Sequence, residues 1–296
     1  MIQTVDLDEY DVHVDGSPKN MKIPSGAVDW TVYLTNEKTV LEYSEDAYMP
    51  LRSGETHTVI ARKPDRYVIY VLAPTEEDLE KARENFKDFP WAVPIMIPTT
   101  FYLEGVMYTH ILHRRRKEWE HADYVGTISH SAPGKLHDIS AVYRTMRAGS
   151  KEGAQVTAFL HRGDSLVATA EKWHPGFLRI WAGSLRYLGF PMEQILNEEI
   201  PSFYCNYWAA TPPVMKEYIQ FFRTYVHTLD TLPIISDEVW NDASYSGRGL
   251  DIAGIPSDHC MKIWGVPQYP FHPFILERLP CFFFWALSKK TVVSSC

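Results

Sequence analysis

The feature that most constrains this chain is the order of patterns between Arg66 and Ser129. Tyr67–Leu72 (YVIYVL) is a short β-branched and aromatic run of the kind buried in a parallel strand. Ala73-Pro74-Thr75 ends it. Thr75 is placed to cap a helix over Glu76–Phe86, and the acids Glu76, Glu77 and Asp78 in its first turn suit the helix dipole. Ala92–Pro98 (AVPIMIP) reads as a second strand. A long helix over Tyr102–His121 follows, with Leu103, Val106, Met107, His110, Ile111 and Trp119 near helical spacing. Tyr124–Ser129 (YVGTIS) is a third strand. Strand, helix, strand, helix, strand predicts parallel pairing through right-handed crossovers. Further on, Val156–His161 reads as a fourth strand and Trp173–Leu188 as a helix. Ser202–Ala209 reads as a strand leading into a helix over Val214–Leu229, and Pro273–Leu287 as a closing helix. The expected fold class is α/β, with a mostly parallel central sheet flanked by helices.

Residues 1–65 have another texture. Asp29–Leu34 and His57–Ala61 are short β-type runs set among turn residues such as Asp15-Gly16 and Ser53-Gly54. They predict a β-rich N-terminal extension or flap before a main domain over 66–296. The formal net charge of -8 counts against a dedicated nucleic-acid binder, whose footprint is basic. One basic run, His113-Arg114-Arg115-Arg116-Lys117, falls in the predicted second helix, where a solvated face is the plainer reading and phosphate contact the sharper one. Four cysteines, with no CxxC pair, give no zinc signature. Cys205 and Cys281 sit in apolar surroundings, as reduced thiols of a cytoplasmic protein do. The acidic opening MIQTVDLDEYDVHVD has no apolar core of a signal peptide. Cys281–Leu287 (CFFFWAL) is too short to span a bilayer, which leaves a buried helix or at most a peripheral membrane contact.

In an open α/β sheet, ligands bind beyond the carboxyl ends of the strands. That rule selects Pro74 and Thr75, then Thr99 and Thr100, then Ser129, His130, Ser131 and Lys135, with Thr127 in the strand that leads to them. The stretch PSFYCNYWAATPPVMKEY adds Asn206 and Tyr207. Asn206 lies inside an aromatic run, and an amide buried there without partners costs about 1–3 kcal/mol. Hydroxyls, an imidazole, a cation and an amide on one edge suit a polar, phosphate-bearing ligand. Asp164, in HRGD after the predicted fourth strand, is either part of a hydrogen-bonded turn or a contact for sugar hydroxyls. Glu277, in HPFILERLPCFFFW, is a carboxylate among apolar neighbours. It is paired with Arg278 or it is functional, with burial raising its pKa. Asp258 is a second late carboxylate. No GxGxxG, Walker loop, GxSxG or HExxH is present.

ARENFKDFPWAVPIMIPTTFYLEG, DYVGTIS, FYCNYWAATPPVMKEYI and HPFILERLPCFFF together resemble a group of glycosyltransferase-like proteins. Members are encoded by large DNA viruses of algae and by bacterial polysaccharide clusters, and the resemblance covers about residues 66–287. It implies a GT-A-like nucleotide-binding domain. The activity implied is transfer of a sugar from a nucleotide-sugar donor to a glycan or glycoprotein acceptor, in the viral case glycan on the capsid protein. Pro74, Thr75, Thr99, Thr100, Thr127, Ser129, His130 and Lys135 would then face the donor. Asp164, Asn206 and Tyr207 would face the acceptor or donor sugar, and Glu277 or Asp258 would be the general base. Metal-dependent members carry Asp-x-Asp after a middle strand, and YVGTISHS has none. The departure counts against a divalent Mn²⁺ or Mg²⁺. Lys135, His130 or the Arg114–Lys117 run would take its place at the diphosphate. A non-catalytic glycan-binding or capsid-associated module on the same fold is the competing reading.

Overall fold

The computed structural model describes residues 31–36, 39–43, 58–62, 66–100, 102–196, 198–203, 205–243, 261, 265–266 and 268–293. The chain divides into two compact units, Met1–Asp65 and Arg66–Cys296. In the first, β1 (Thr31–Asn36) pairs antiparallel with β2 (Thr39–Tyr43) and with β3 (Thr58–Arg62), giving the order β2-β1-β3.

The second unit is an α/β fold on a mixed, open five-stranded sheet. Its strands are β4 (Tyr67–Ala73), β5 (Ala92–Met96), β6 (Tyr124–Ser129), β7 (Val156–Ala158) and β10 (Trp208–Ala210), in the order β5-β4-β6-β10-β7. β8 (His161–Ser165) and β9 (Pro201–Phe203) form a separate antiparallel pair. The helices are α1 (Glu76–Phe86), α2 (Leu112–Arg114), α3 (Arg116–Trp119), α4 (Ala132–Lys135), α5 (Ser140–Glu152) and α6 (Leu166–Trp173). They continue with α7 (Phe177–Tyr187), α8 (Met192–Leu196), α9 (Pro212–Thr231), α10 (Pro233–Ser236) and α11 (His272–Val293).

β4 and β6 are buried along their whole length. Their side chains alternate between two apolar layers, as a period of two requires. Val68, Tyr70 and Leu72 join a core with Tyr108, Trp208, Tyr218, Phe222 and Phe282. Tyr67, Ile69 and Val71 join another with Ala82, Phe86, Val142 and Met146. The Thr75 hydroxyl accepts from Asp78 N at 3.1 Å, so the first helix starts where its cap places it.

The later half departs from expectation. The predicted strand Val156–His161 stops at Ala158, and His161 belongs to β8. The predicted strand Ser202–Ala209 breaks into β9 and β10 around Cys205 and Asn206, which have positive φ of 64° and 54° and so leave the extended region. β10 runs antiparallel to both β6 and β7, so four strands point one way and β10 the other. The single helix expected over Tyr102–His121 is a 3₁₀ turn (Leu103–Gly105), a π-helical segment (Met107–Ile111), and then α2 and α3. The helix expected over Trp173–Leu188 is α7, which starts at Phe177 after Gly176, whose φ of 92° only glycine adopts readily, and Trp173 instead ends α6. Thr211 occupies the N-cap position of α9 but makes no side-chain cap bond. Among the described residues no helix is long and apolar enough to cross a membrane. Phe282 is buried, and Phe283–Leu287 are half-buried against the core.

Candidate active site

The carboxyl ends of β4 and β6 and the amino end of β10 meet on one edge of the sheet. Trp208 is opposite Thr127 in the antiparallel register, which sets Tyr207 and Asn206 beside the last residues of β6. The Tyr207 hydroxyl is 2.8 Å from Ser129 Oγ, and Ser129 Oγ is 2.6 Å from Ser131 Oγ. Asn206 and Tyr207 thus reach the expected edge because β10 runs opposite to its neighbours, not as part of a parallel strand.

Chain turns hold charged groups around this hydroxyl chain. His130 N donates to the Leu72 carbonyl at 2.9 Å. Its ring Nδ1 is 3.2 Å from the same oxygen, and Nε2 is 3.4 Å from Asp78 Oδ1. Lys135, ending α4, places Nζ 3.6 Å from Cys205 Sγ and 5.5 Å from the Tyr207 ring centroid. Burial works against the Lys135 ammonium, but Tyr207, Cys205 and Glu104 outweigh it and hold the pKa above the ordinary lysine value. Burial pushes the Cys205 thiol up, and Glu277 adds to the rise, so the sulfur is a neutral thiol rather than a nucleophilic thiolate. Tyr207 is likewise raised by burial.

Two carboxylates complete the edge, and they differ. Glu277 Oε1 accepts from Cys205 N at 2.7 Å, and Oε2 is 3.2 Å from Arg278 Nη1. Arg278 is itself 4 % exposed. Glu277 therefore anchors the Cys205–Asn206 turn and neutralises a buried guanidinium. Glu104 is half-buried. Burial raises its pKa, the Glu277 charge raises it further, and Lys135 and His130 pull the other way. A carboxyl group lifted in this way is chemically suited to proton transfer.

Backbone strain gathers here as well. The non-glycine residues with positive φ among the described residues are Leu103 (45°), Cys205 and Asn206. Leu103 precedes Glu104, and the other two form the turn that Glu277 holds. Such conformations persist where surrounding structure imposes them, often at functional sites. Asn206 is 5 % exposed, its main-chain carbonyl accepts from Thr127 Oγ1 at 2.9 Å, and its side-chain Oδ1 has no hydrogen-bond partner among the described residues.

The edge brings together Ser129, His130, Lys135, Asn206, Tyr207 and Glu277 from the sequence reading. Thr127 is fully buried, with its hydroxyl between the Asn206 carbonyl and Tyr108 OH, and is spent on packing. The Thr75 hydroxyl is engaged by Asp78. Thr100 Oγ1 accepts from Tyr102 N at 3.2 Å, Thr99 is exposed, and Pro74 half-buried at the end of β4. Asp164 lies in β8, outside the central sheet. Asp258 lies outside the described residues. Sequence reasoning missed Glu104, Asp78 and Cys205, whereas Ser131 was among the strand-end residues it selected. Glu104 carried a usable signal, since it stands in an apolar helical stretch (YLEGVM) just as Glu277 does in ILERLP. Among the described residues no group of three or more His, Cys, Asp or Glu is placed to hold a metal ion.

No family model matches the chain, and comparisons with curated proteins and with solved structures found no match.

Proposed function

We propose that the second unit is a GT-A-like glycosyltransferase that moves a sugar from a nucleotide-sugar donor to a hydroxyl of a glycan or glycoprotein acceptor. The observation that supports this reading is the edge where the strained Cys205–Asn206 turn, Lys135 and the Ser129–Tyr207 hydroxyls meet, with Glu104 close enough for its charge and that of Lys135 to act on each other. Transfer needs both. Glu104 takes the proton of the acceptor hydroxyl as its oxygen bonds to the anomeric carbon. Lys135, with His130 beside it, faces the charge left on the diphosphate when the old glycosidic bond breaks. Ser129, Ser131 and Tyr207 offer hydroxyls to the sugar, and the unpartnered Asn206 Oδ1 accepts from one of its OH groups. Glu277 acts through position, holding the Cys205–Asn206 turn from below. The β-rich 1–65 extension belongs to this reading without an assigned role.

A nucleotide-sugar panel tests the proposal. UDP-, GDP- and dTDP-sugars are titrated calorimetrically, and their turnover is followed with and without Mn²⁺. At least one donor should bind and be turned over, and Asn206→Ala should weaken turnover far more than stability. Absence of binding to every donor would remove the proposal. Glycan binding without nucleotide binding or turnover would select the non-catalytic alternative.

A further inference from the structure

A groove of about 600 Å³ lies between the helical run ending at Trp119 and the flank of α9. Its walls carry His113, Arg116, Lys216, Arg223 and His227, and no carboxylate lines it. The buried side chains of Trp119 and Ile219 contribute to its lining. It shares no lining residue with the sheet-edge site.

Several basic residues elsewhere on the unit have a carboxylate three or four positions away: Lys81 has Glu77, Lys87 has Glu84 and Arg115 has Glu118. In the groove Arg116 has a carboxylate, Glu120, at 3.0 Å, and His227 lies within electrostatic reach of Asp230. Lys216 and Arg223 make no ion pair among the described residues. Lys216, Gln220, Arg223 and His227 follow one another along one side of α9 at spacings of three and four, and Arg116 and His113 face them. Like charges gathered without counter-charge disfavour the fold. In a chain of net charge -8 this is a local violation of charge balance, of the kind proteins keep at functional positions.

We propose that this groove binds a ligand carrying two or more phosphate charges. Guanidinium and ammonium groups set a turn apart match several phosphate oxygens at once, with charge-assisted hydrogen bonds from each. The volume lies within the range of small-ligand sites, leaving room for an organic group against the Trp119–Ile219 floor. The basic run noted in the sequence thereby divides. Arg115 is spent on Glu118, and His113 and Arg116 turn toward α9.

The test is calorimetric titration of the full chain with inorganic pyrophosphate and with inositol trisphosphate at low salt. The Lys216→Ala/Arg223→Ala variant, whose substitutions are on exposed side chains, should bind at least about tenfold more weakly, with its thermal midpoint unchanged or raised. Lys135→Ala, at the sheet edge, should leave this binding intact. Flotation with vesicles containing phosphatidylinositol bisphosphate separates the sources. Flotation lost in the double variant supports the groove with a lipid headgroup as its ligand. Binding of the soluble phosphates without flotation supports it with a free phosphate ester. Binding abolished by Lys135→Ala but not by the double variant overturns the proposal. So does an absence of binding to all these probes, or binding of single-stranded nucleic acid alone. None of these outcomes depends on glycosyl transfer.

Discussion

The two halves of the central sheet are built on different principles. β5, β4 and β6 are parallel strands of five to seven residues joined by helical crossovers, and β4 and β6 are buried end to end. β10 and β7 are three-residue strands, and β10 runs against its neighbours. The first half is held by continuous apolar runs. The second is held by a few dense contacts. Trp208 stacks on Tyr108 at 5.5 Å and meets Tyr218 and Phe284 edge-on at 5.0 and 4.9 Å. The candidate site lies at the seam between the halves, where the direction reversal brings the start of β10 to the ends of β4 and β6. A rigid parallel half presents the lysine and hydroxyls, and a strained turn from the other half presents the amide.

The seam itself offers the severest way to break this picture. A Cβ on Gly126 would stand 2.2 Å from the Trp208 carbonyl oxygen and 2.7 Å from Ala209 Cα. Backbone atoms cannot yield as a flexible side chain does. Gly126→Val should cost more than about 4 kcal/mol, a large part of a typical domain's stability, and leave the protein largely unfolded. Urea denaturation reads this directly. A near-normal midpoint would mean that β10 is not seated on β6 in this register.

The parallel half was legible in the sequence because its signals are local: unbroken apolar runs, Thr75 before three acids, periodic apolar positions. The other half was not, because its determinants are tertiary. Nothing in FYCNYWAA marks Cys205 and Asn206 as left-handed, since the contact that holds them comes from Glu277, far along the chain. The break in the helix at Leu103–Ile111 is similar: Gly105 is pressed against Phe222, and its Cβ would come within 2.9 Å of that ring. Site residues followed the same division. Ser129, His130 and Lys135 were placed by the strand-end rule. Glu104 was overlooked because a carboxylate on a helix is usually solvated.

The two carboxylates provide the next test, since they contribute oppositely. Glu104→Gln removes a charge that burial disfavours, so stability should hold or rise slightly while transfer falls about 100-fold or more. Glu277→Gln removes the charge that meets the buried Arg278 at 3.2 Å and weakens the hold on Cys205 N, so it should lower stability by about 1–3 kcal/mol, with activity falling as the turn loosens. Thermal unfolding alongside turnover separates the two. Equal stability losses would erase the distinction between base and anchor.

Acid should weaken the packing at the start of α11. His174 stacks on Phe274 at 3.8 Å, with Nδ1 2.9 Å from the Ala243 carbonyl, and burial lowers its pKa to about 4. His272, opening α11, is lowered by burial to about 4 as well. Both are neutral in the fold, and on unfolding each regains an ordinary value near 6.5. Between these values the unfolded chain binds more protons, so stability falls as pH drops from about 6.5 to about 4, by up to roughly 3 kcal/mol for each histidine. Denaturation midpoints across that range should slope accordingly, and His174→Phe should remove about one proton from the slope. A flat profile would show that the imidazoles are not held neutral.

The smallest effect concerns the turn. Cys205 holds φ at 64° although it has a Cβ, a conformation costing about 1–2 kcal/mol. Its thiol returns little, since the Lys135 contact is long at 3.6 Å and the main-chain bond to Glu277 does not depend on the side chain. Glycine takes this φ without penalty but adds freedom to the unfolded chain. Cys205→Gly should therefore stabilise the protein by about 0.5–1 kcal/mol, measured by urea denaturation. If the strain serves to aim Asn206, the same variant should bind donor more weakly despite folding better. Stabilisation with unchanged binding would mean that the turn carries strain without using it, and that Glu277 alone fixes the amide.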